Sequence, residues 1–499
     1  DYVGVHQRHY RLERVMSNLS DLLPSGGGQN IVEFTASGTI SSGQAVGLKS
    51  DGTVEAIAGA TEGVGTAVVF ETGAGASYIN SVFDSSNNKV VISYRDQGNS
   101  NYGTAVVGTI SGTSISFGTP VIFNSGDPTN YISSTFDSNS NKVVICYNDG
   151  GDGTKTNAVV GTVSGTSISF GSEVTIFTDS IGDPNSAMAF DSTNNKVLLV
   201  YKNASVSQHG YAVVGTVSGT SSSWGSQAAF ETGGATEEVA VDFDSSAGKF
   251  VIAYKQSTGY AIVGTISGTS ISFGSRATLD SSTIQKISVV YDSTNNKTVI
   301  AYRDNGNSGY GTARVGTVSG TSISFGSEVV FESASTDEVG GCFDSNAGKV
   351  VFCYKDGGNS NYGTYQVGTV SGTSISFAGA QVYESGNSKG NSPAFDSNLN
   401  KIAIAFEDAD NSDQGTGVVL QLTSTNVSSF IGLADAAISD TATGKINVKG
   451  SINSKQSSLT IGSDYYVQSD GSVSTTSTSP AVKIGQAVTA TTINMMDLT

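Results

Sequence analysis

The stretch FDSSNNKVVISYRDQGNSNYGTAVVGTISGTSISFG, Phe83 to Gly118, decides the fold. It opens on a strand end, Phe83-Asp84-Ser85, and turns through Asn87-Asn88 into the near-continuous apolar run KVVISY. A polar loop from Arg95 to Gly103 leads to a second run, AVVGTI, then to the tight turn SGTS and to SISFG. Val and Ile without alternation mark a strand covered on both faces. The unit recurs. Its head stands at Phe83, Phe136, Phe190, Phe243, Phe343 and Phe395, and Tyr291 heads a seventh copy; successive spacings are 53, 54, 53, 48, 52 and 52 residues. Each copy reads as four strands, the last being SISFGxxVxF taken as one. Seven such copies predict an all-β fold, a seven-bladed β-propeller. A parallel β-helix is the other repeat architecture weighed, but its repeats are much shorter.

Working outward, the seventh copy runs through GTGVVLQLTSTNVSSF to Phe430 and lacks the tail of the unit. That tail stands ahead of the first copy, as VGTAVVFETG from Val64 to Gly73. The N-terminal segment is therefore expected to supply the last strand of the final blade, which removes two exposed sheet edges. The propeller is placed at 63–431. The flanking pieces ISSGQAVGLKSDGTV and LTIGSDYYVQSDGSV resemble each other, and each carries an Asp-Gly hairpin signal, at Asp51-Gly52 and Asp470-Gly471. Residues 31–62 and 432–499 are read as one small β-sandwich or barrel-like domain that holds the propeller as an insertion. In residues 1–30, Leu12, Val15, Met16, Leu19, Leu22 and Leu23 recur at helical spacing before PSGGG. An N-terminal attachment helix followed by a Gly-rich linker is expected there.

The chain has 499 residues, only 14% of them charged, a net charge of −18 and 62 glycines. Such an acidic protein repels phosphate backbones and anionic membranes, so neither nucleic acid nor membrane insertion is expected. No run of 18 apolar residues and no leader peptide is read in it. Cys146, Cys342 and Cys353 are odd in number and stand where other copies have mostly small residues. They read as core residues, although Cys342 and Cys353 stand where two strands of one hairpin face each other, which leaves a bridge between them open.

The search for chemistry is brief. The Asp that follows each head residue (Asp84, Asp137, Asp191, Asp244, Asp292, Asp344, Asp396) recurs in every copy, as turn-formers do. No placed carboxylate pair, SxDxGxxW box, phosphate loop or nucleophile–base set is read, and Trp224 takes the place of a core Phe. No catalytic residue, metal site or cofactor is expected. The long, variable loops share one end of the sheets, and binding residues concentrate on such loops. That end carries Tyr94-Arg95-Asp96, Tyr147-Asn148-Asp149, Tyr302-Arg303-Asp304 and Tyr354-Lys355-Asp356. Tyr94, Arg95, Asp96, Tyr147, Asp149, Tyr302, Arg303, Asp304, Tyr354, Lys355 and Asp356 are the candidate ligand-binding residues, suited to sugars. The competing reading has the tyrosines packed between blades and the charges paired across them. Loops such as Asp96-Gln97-Gly98-Asn99 also offer the oxygen ligands that Ca²⁺ takes, which leaves calcium open.

The repeat FDSSNNKVVISYRDQGNSNYGTAVVGTISGTSISFG resembles repeats in virion proteins of tailed bacteriophages, especially marine ones. The ending FIGLADAAISDTATGKINVKGSINSKQSSLTIGSDYYVQSDGSVSTT is similar to endings of phage fibre and spike proteins. Together the resemblance covers residues 31–499. It implies a virion location, homo-oligomeric assembly, contacts to other virion proteins through residues 1–30, and recognition of a host-surface glycan without enzymatic activity. It supplies no catalytic motif. A polysaccharide-degrading propeller enzyme, a capsid decoration subunit and a secreted adhesin are the alternatives.

Overall fold

A computed structural model describes residues 30–49, 51–57, 62–73, 75–151, 155–422, 427–468, 470–477 and 481–495. The fold is all-β: apart from three short 3-10 turns, the regular structure of the described residues is strand. The expected helix at 1–30 lies outside them. Among the described residues no helix is long and apolar enough to cross a membrane. The chain divides into two compact units, Glu62–Leu422 and the two flanking segments together.

In the flanking unit, strands from both chain ends interleave. Ile31–Thr35 pairs with Thr443–Val448, that strand with Phe430–Ala434, and that in turn with Ala45–Leu48. A second five-stranded sheet is built from C-terminal residues alone. The two sheets share a core in which Ala45 and Leu433 meet Tyr465, Val467, Ile484 and Ile493. Both Asp-Gly turns form as read: the Asp51 and Asp470 carboxylates each accept from the backbone N–H and the hydroxyl two residues on, Thr53 and Ser472.

In Glu62–Leu422, each repeat folds into an antiparallel sheet. In the first repeat Ala76–Asp84 pairs with Lys89–Asp96, and that with Tyr102–Ser111. The outer strand is not the single element read from the sequence. It is two short strands, Ser114–Phe117 and Val121–Asn124, both paired with Tyr102–Ser111. The break falls at Gly118, where a Cβ would lie 1.8 Å from the Thr166 carbonyl oxygen of the next repeat. The turn aspartates act as expected. Asp84 accepts from the backbone N–H of Ser86 and Asn87, and the same bonds recur at Asp137, Asp191, Asp292, Asp344 and Asp396. Asp244 keeps one of them, to Ala247.

The middle strands bury both faces because each sheet packs between two others. Every apolar cluster of this unit joins two consecutive repeats. The series does not end at the seventh, since Ala394, Ala403, Ala405 and Val419 share a cluster with Phe70, Val90, Ile92, Tyr94 and Ile115 of the first. Side chains also bind neighbouring first strands together. Asn80 Oδ1 accepts from Ser134 N at 3.1 Å, and Ser392 Oγ of the seventh repeat accepts from Ser81 N of the first at 2.8 Å. The segment ahead of the first repeat does pair with the seventh: Val68–Glu71 and Gly63–Val64 lie along Gln414–Gln421. The three cysteines are free thiols, and Cys342 pairs with Val351, not with Cys353.

Candidate functional site at the mouth of the cavity

The first strands of all seven repeats line one cavity of about 890 Å³. Near its loop end each described first strand carries a bulge. Ser77 pairs with Arg95 and Asn80 with Ser93, so Tyr78 and Ile79 stand opposite Tyr94 alone. The equivalent shifts fall at Tyr131, Glu238, Lys286, Glu338 and Gly390. All six residues have left-handed backbones, with φ from 49° to 62°. Side chains rarely accept that conformation: it costs about 1–2 kcal/mol for each non-glycine residue. At the bulge Tyr78, Lys286 and Glu338 line the cavity half-buried, Glu238 lines it buried, and the next residue, such as Ile79 or Ile132, is buried as well.

The mouth has two chemical sectors. Tyr78 and Tyr131 meet edge-on with ring centroids 5.4 Å apart, and the Arg95 guanidinium lies 4.8 Å over Tyr78. Arg95 is held there by Ser77 Oγ at 3.0 Å and Asn130 Oδ1 at 2.8 Å. The other sector is charged. Lys286 Nζ lies 3.4 Å from Glu338 and 3.5 Å from Asp337, and Asp337 lies 3.4 Å from Lys355. Lys389 reaches Glu407 at 2.5 Å and Asp413 at 3.0 Å. Burial holds the Glu238 carboxyl above the usual range, with Lys286 opposing that rise and the Glu338 charge adding to it.

The eleven residues expected to bind a ligand divide sharply. Tyr94, Tyr147, Tyr302 and Tyr354 are fully buried and form no aromatic ring at the surface, which corrects that expectation. Each packs between repeats, as Tyr94 does on Phe70 at 5.2 Å. The hydroxyls of Tyr94, Tyr147 and Tyr354 donate to Glu71, Glu173 and Glu332. Asp96, Asp149, Asp304 and Asp356 are buried as well and accept backbone N–H bonds from their own loops, from Asn99, Gly151, Gly306 and Gly358. Arg303 lies against Gly309 with a buried, unpaired Nε. Only Arg95 and Lys355 contribute to the mouth. Reading the sequence missed Tyr78, Tyr131, Glu238, Lys286 and Glu338. All five stand five residues ahead of the head residue of their repeats. Their variety at that fixed offset, inside an otherwise uniform strand, is the signal that identifies them. Among the described residues no three His, Cys, Asp or Glu side chains are set to hold a metal ion.

Asp242 lines the same cavity where other repeats have Val82, Ala189 or Val290. It accepts from Tyr291 N at 2.8 Å and Phe243 N at 2.7 Å, yet burial pushes its pKa up to about 6. An acid whose pKa is raised on folding costs stability once ionised. Its contribution is therefore lost as pH rises from the unfolded value of 3.8 through the folded value of about 6. Asp242→Asn is expected to gain on the wild type by about 1–3 kcal/mol across that window, most of it below the upper figure because the site is partly solvated. Hydrogen bonds altered by the substitution shift the whole curve and not its slope. Urea unfolding of both proteins from about pH 4 to about pH 7 measures this, and parallel curves would rule it out.

No protein-family model matches the chain, and no curated protein matches it in sequence.

Proposed function

We propose that Glu62–Leu422 is a seven-bladed β-propeller and that the protein is a non-enzymatic recognition subunit of a bacteriophage virion, of the tail-fibre or spike type, binding a host-surface glycan at the cavity mouth. The propeller reading rests on the seven shared cores, whose series returns from the seventh repeat to the first. The binding reading rests on one observation: five non-glycine side chains are held in a costly backbone conformation, four of them lining one cavity and the fifth, Tyr131, packed on Tyr78 beside it. Backbone strain repeated at equivalent positions points to use. The two sectors suit a sugar. Aromatic rings take its apolar faces, and carboxylates and ammonium groups take its hydroxyls. The virion setting rests on the resemblance of residues 31–499, with residues 1–30 serving attachment and the subunits forming a homo-oligomer.

The test is binding of purified protein to immobilised bacterial surface polysaccharides, with released sugar assayed in the same wells. Saturable binding without release is expected. Tyr131→Ala and Lys286→Ala should each weaken it about tenfold, the equivalent of about 1.4 kcal/mol. Released oligosaccharide would replace this reading with a degrading enzyme. Binding that both variants leave unchanged would remove the mouth from the account.

A further inference from the structure

The repeats serve as one another's controls where the second strand faces the first, beside the bulge. In six repeats the register pairs Ser77 with Arg95, Asn130 with Asn148, Glu237 with Lys255, Gln285 with Arg303, Asp337 with Lys355 and Lys389 with Glu407. Three of these pairs are salt bridges: Lys255–Glu237 at 2.6 Å, Lys355–Asp337 at 3.4 Å and Lys389–Glu407 at 2.5 Å. Each sets a carboxylate against a cation that folding has partly withdrawn from water. Arg95 has no such partner among the described residues. Its guanidinium donates to two neutral oxygens, Ser77 Oγ and Asn130 Oδ1, and lies over the Tyr78 ring. These contacts fix its position without neutralising it, and its remaining N–H groups have no acceptor among the described residues. Arg303, the other arginine opposite a neutral residue, packs onto its own loop at Gly309.

A half-buried cation left without an acid, in a protein of net charge −18, suits an anion from outside. A guanidinium gives two parallel N–H bonds to a planar carboxylate, and aromatic rings take the apolar face of a sugar. The charged sector has the opposite balance. Its carboxylates outnumber its ammonium groups, so a second carboxylate is repelled there. Only the aromatic sector is free to take one. We infer, on the reading that the mouth binds a glycan, that this glycan is acidic: the carboxylate of a uronic-acid unit docks on Arg95, with the sugar ring beside Tyr78 and Tyr131.

The experiment measures binding of the full-length protein to a panel of immobilised bacterial polysaccharides rich in uronic acid. The same polymers are tested after carbodiimide and borohydride have reduced their carboxyls to alcohols. The wild type is expected to bind an acidic polymer about tenfold more tightly than its reduced form, the usual size of a hydrogen-bonded charge contact. Arg95→Gln should abolish that preference and leave binding of the reduced form unchanged. Ser77→Glu should abolish it too, because it sets a carboxylate opposite Arg95 as Glu237 stands opposite Lys255. That variant adds a cross-strand pair and removes none, and unaltered circular dichroism checks that the fold persists. Arg303→Gln should leave the preference intact. Equal binding of acidic and reduced forms, or a preference that survives both Arg95→Gln and Ser77→Glu, would overturn the inference while leaving glycan recognition standing. Binding to neither form of any polymer would overturn that recognition and the inference with it.

Discussion

Replacing Phe70 with alanine is expected to destabilise Glu62–Leu422 by about 3–5 kcal/mol, the usual cost of emptying a buried aromatic site. Phe70 is 6% exposed and sits on a strand that precedes the first repeat yet pairs with the seventh. Its ring lies against Tyr94 at 5.2 Å and Phe117 at 5.5 Å, both in the first repeat, and covers Gly415 in the seventh. One side chain thus fills the seam between the two ends of the array. Phe230 fills the equivalent place inside the array, against Tyr254 at 5.2 Å and Phe273 at 5.9 Å. Phe230→Ala should therefore cost the same within about 1 kcal/mol. Val64 is partly exposed, and Val64→Ala should be near neutral. Denaturant unfolding gives all three values. A loss below about 1 kcal/mol for Phe70→Ala, beside a large one for Phe230→Ala, would mean that the seam is not packed like the interior.

Much of this architecture is legible before any coordinates. The unbroken Val-Ile runs announce strands covered on both faces, and the displaced tail Val64–Gly73 announces where the missing outer strand comes from. The turn aspartates are readable because local side-chain bonds require them at one fixed place. The site was less legible. A tyrosine beside a charged pair looks the same in sequence whether it faces solvent or a neighbouring sheet. Tyr94 and its equivalents turned inward because each outer-strand aromatic needs a partner across the seam. The bulges were not readable as such. Left-handed backbone is usually signalled by glycine, and here only Gly390 gives that cue, whereas Tyr78, Tyr131, Glu238, Lys286 and Glu338 do not. The divided outer strand was missed because the reason for the break, a neighbouring carbonyl, belongs to the next repeat.

That carbonyl supplies the second large expected effect. At Gly118, Gly171, Gly225, Gly274 and Gly326 a Cβ would fall 1.8–2.0 Å from a threonine carbonyl oxygen of the following repeat. The sixth repeat has Ala378 at this position, and the repeat after it reads LTSTN in place of the SGTS turn that brings the threonine. At Gly65, on the N-terminal segment, a Cβ would fall 1.7 Å from the Thr113 carbonyl oxygen of the first repeat. None of these glycines needs a left-handed backbone, so alanine is excluded by the neighbour alone. Closure of the seventh repeat onto the first is the claim on which the cavity, its mouth and the proposed binding all rest. The decisive measurement compares the unfolding free energies of Gly65→Ala and Gly118→Ala. A closed ring predicts equal losses of about 3 kcal/mol, because the overpacked contact is the same at both places. An unaltered Gly65→Ala protein beside a destabilised Gly118→Ala protein would show that the ring is open and would contradict the account.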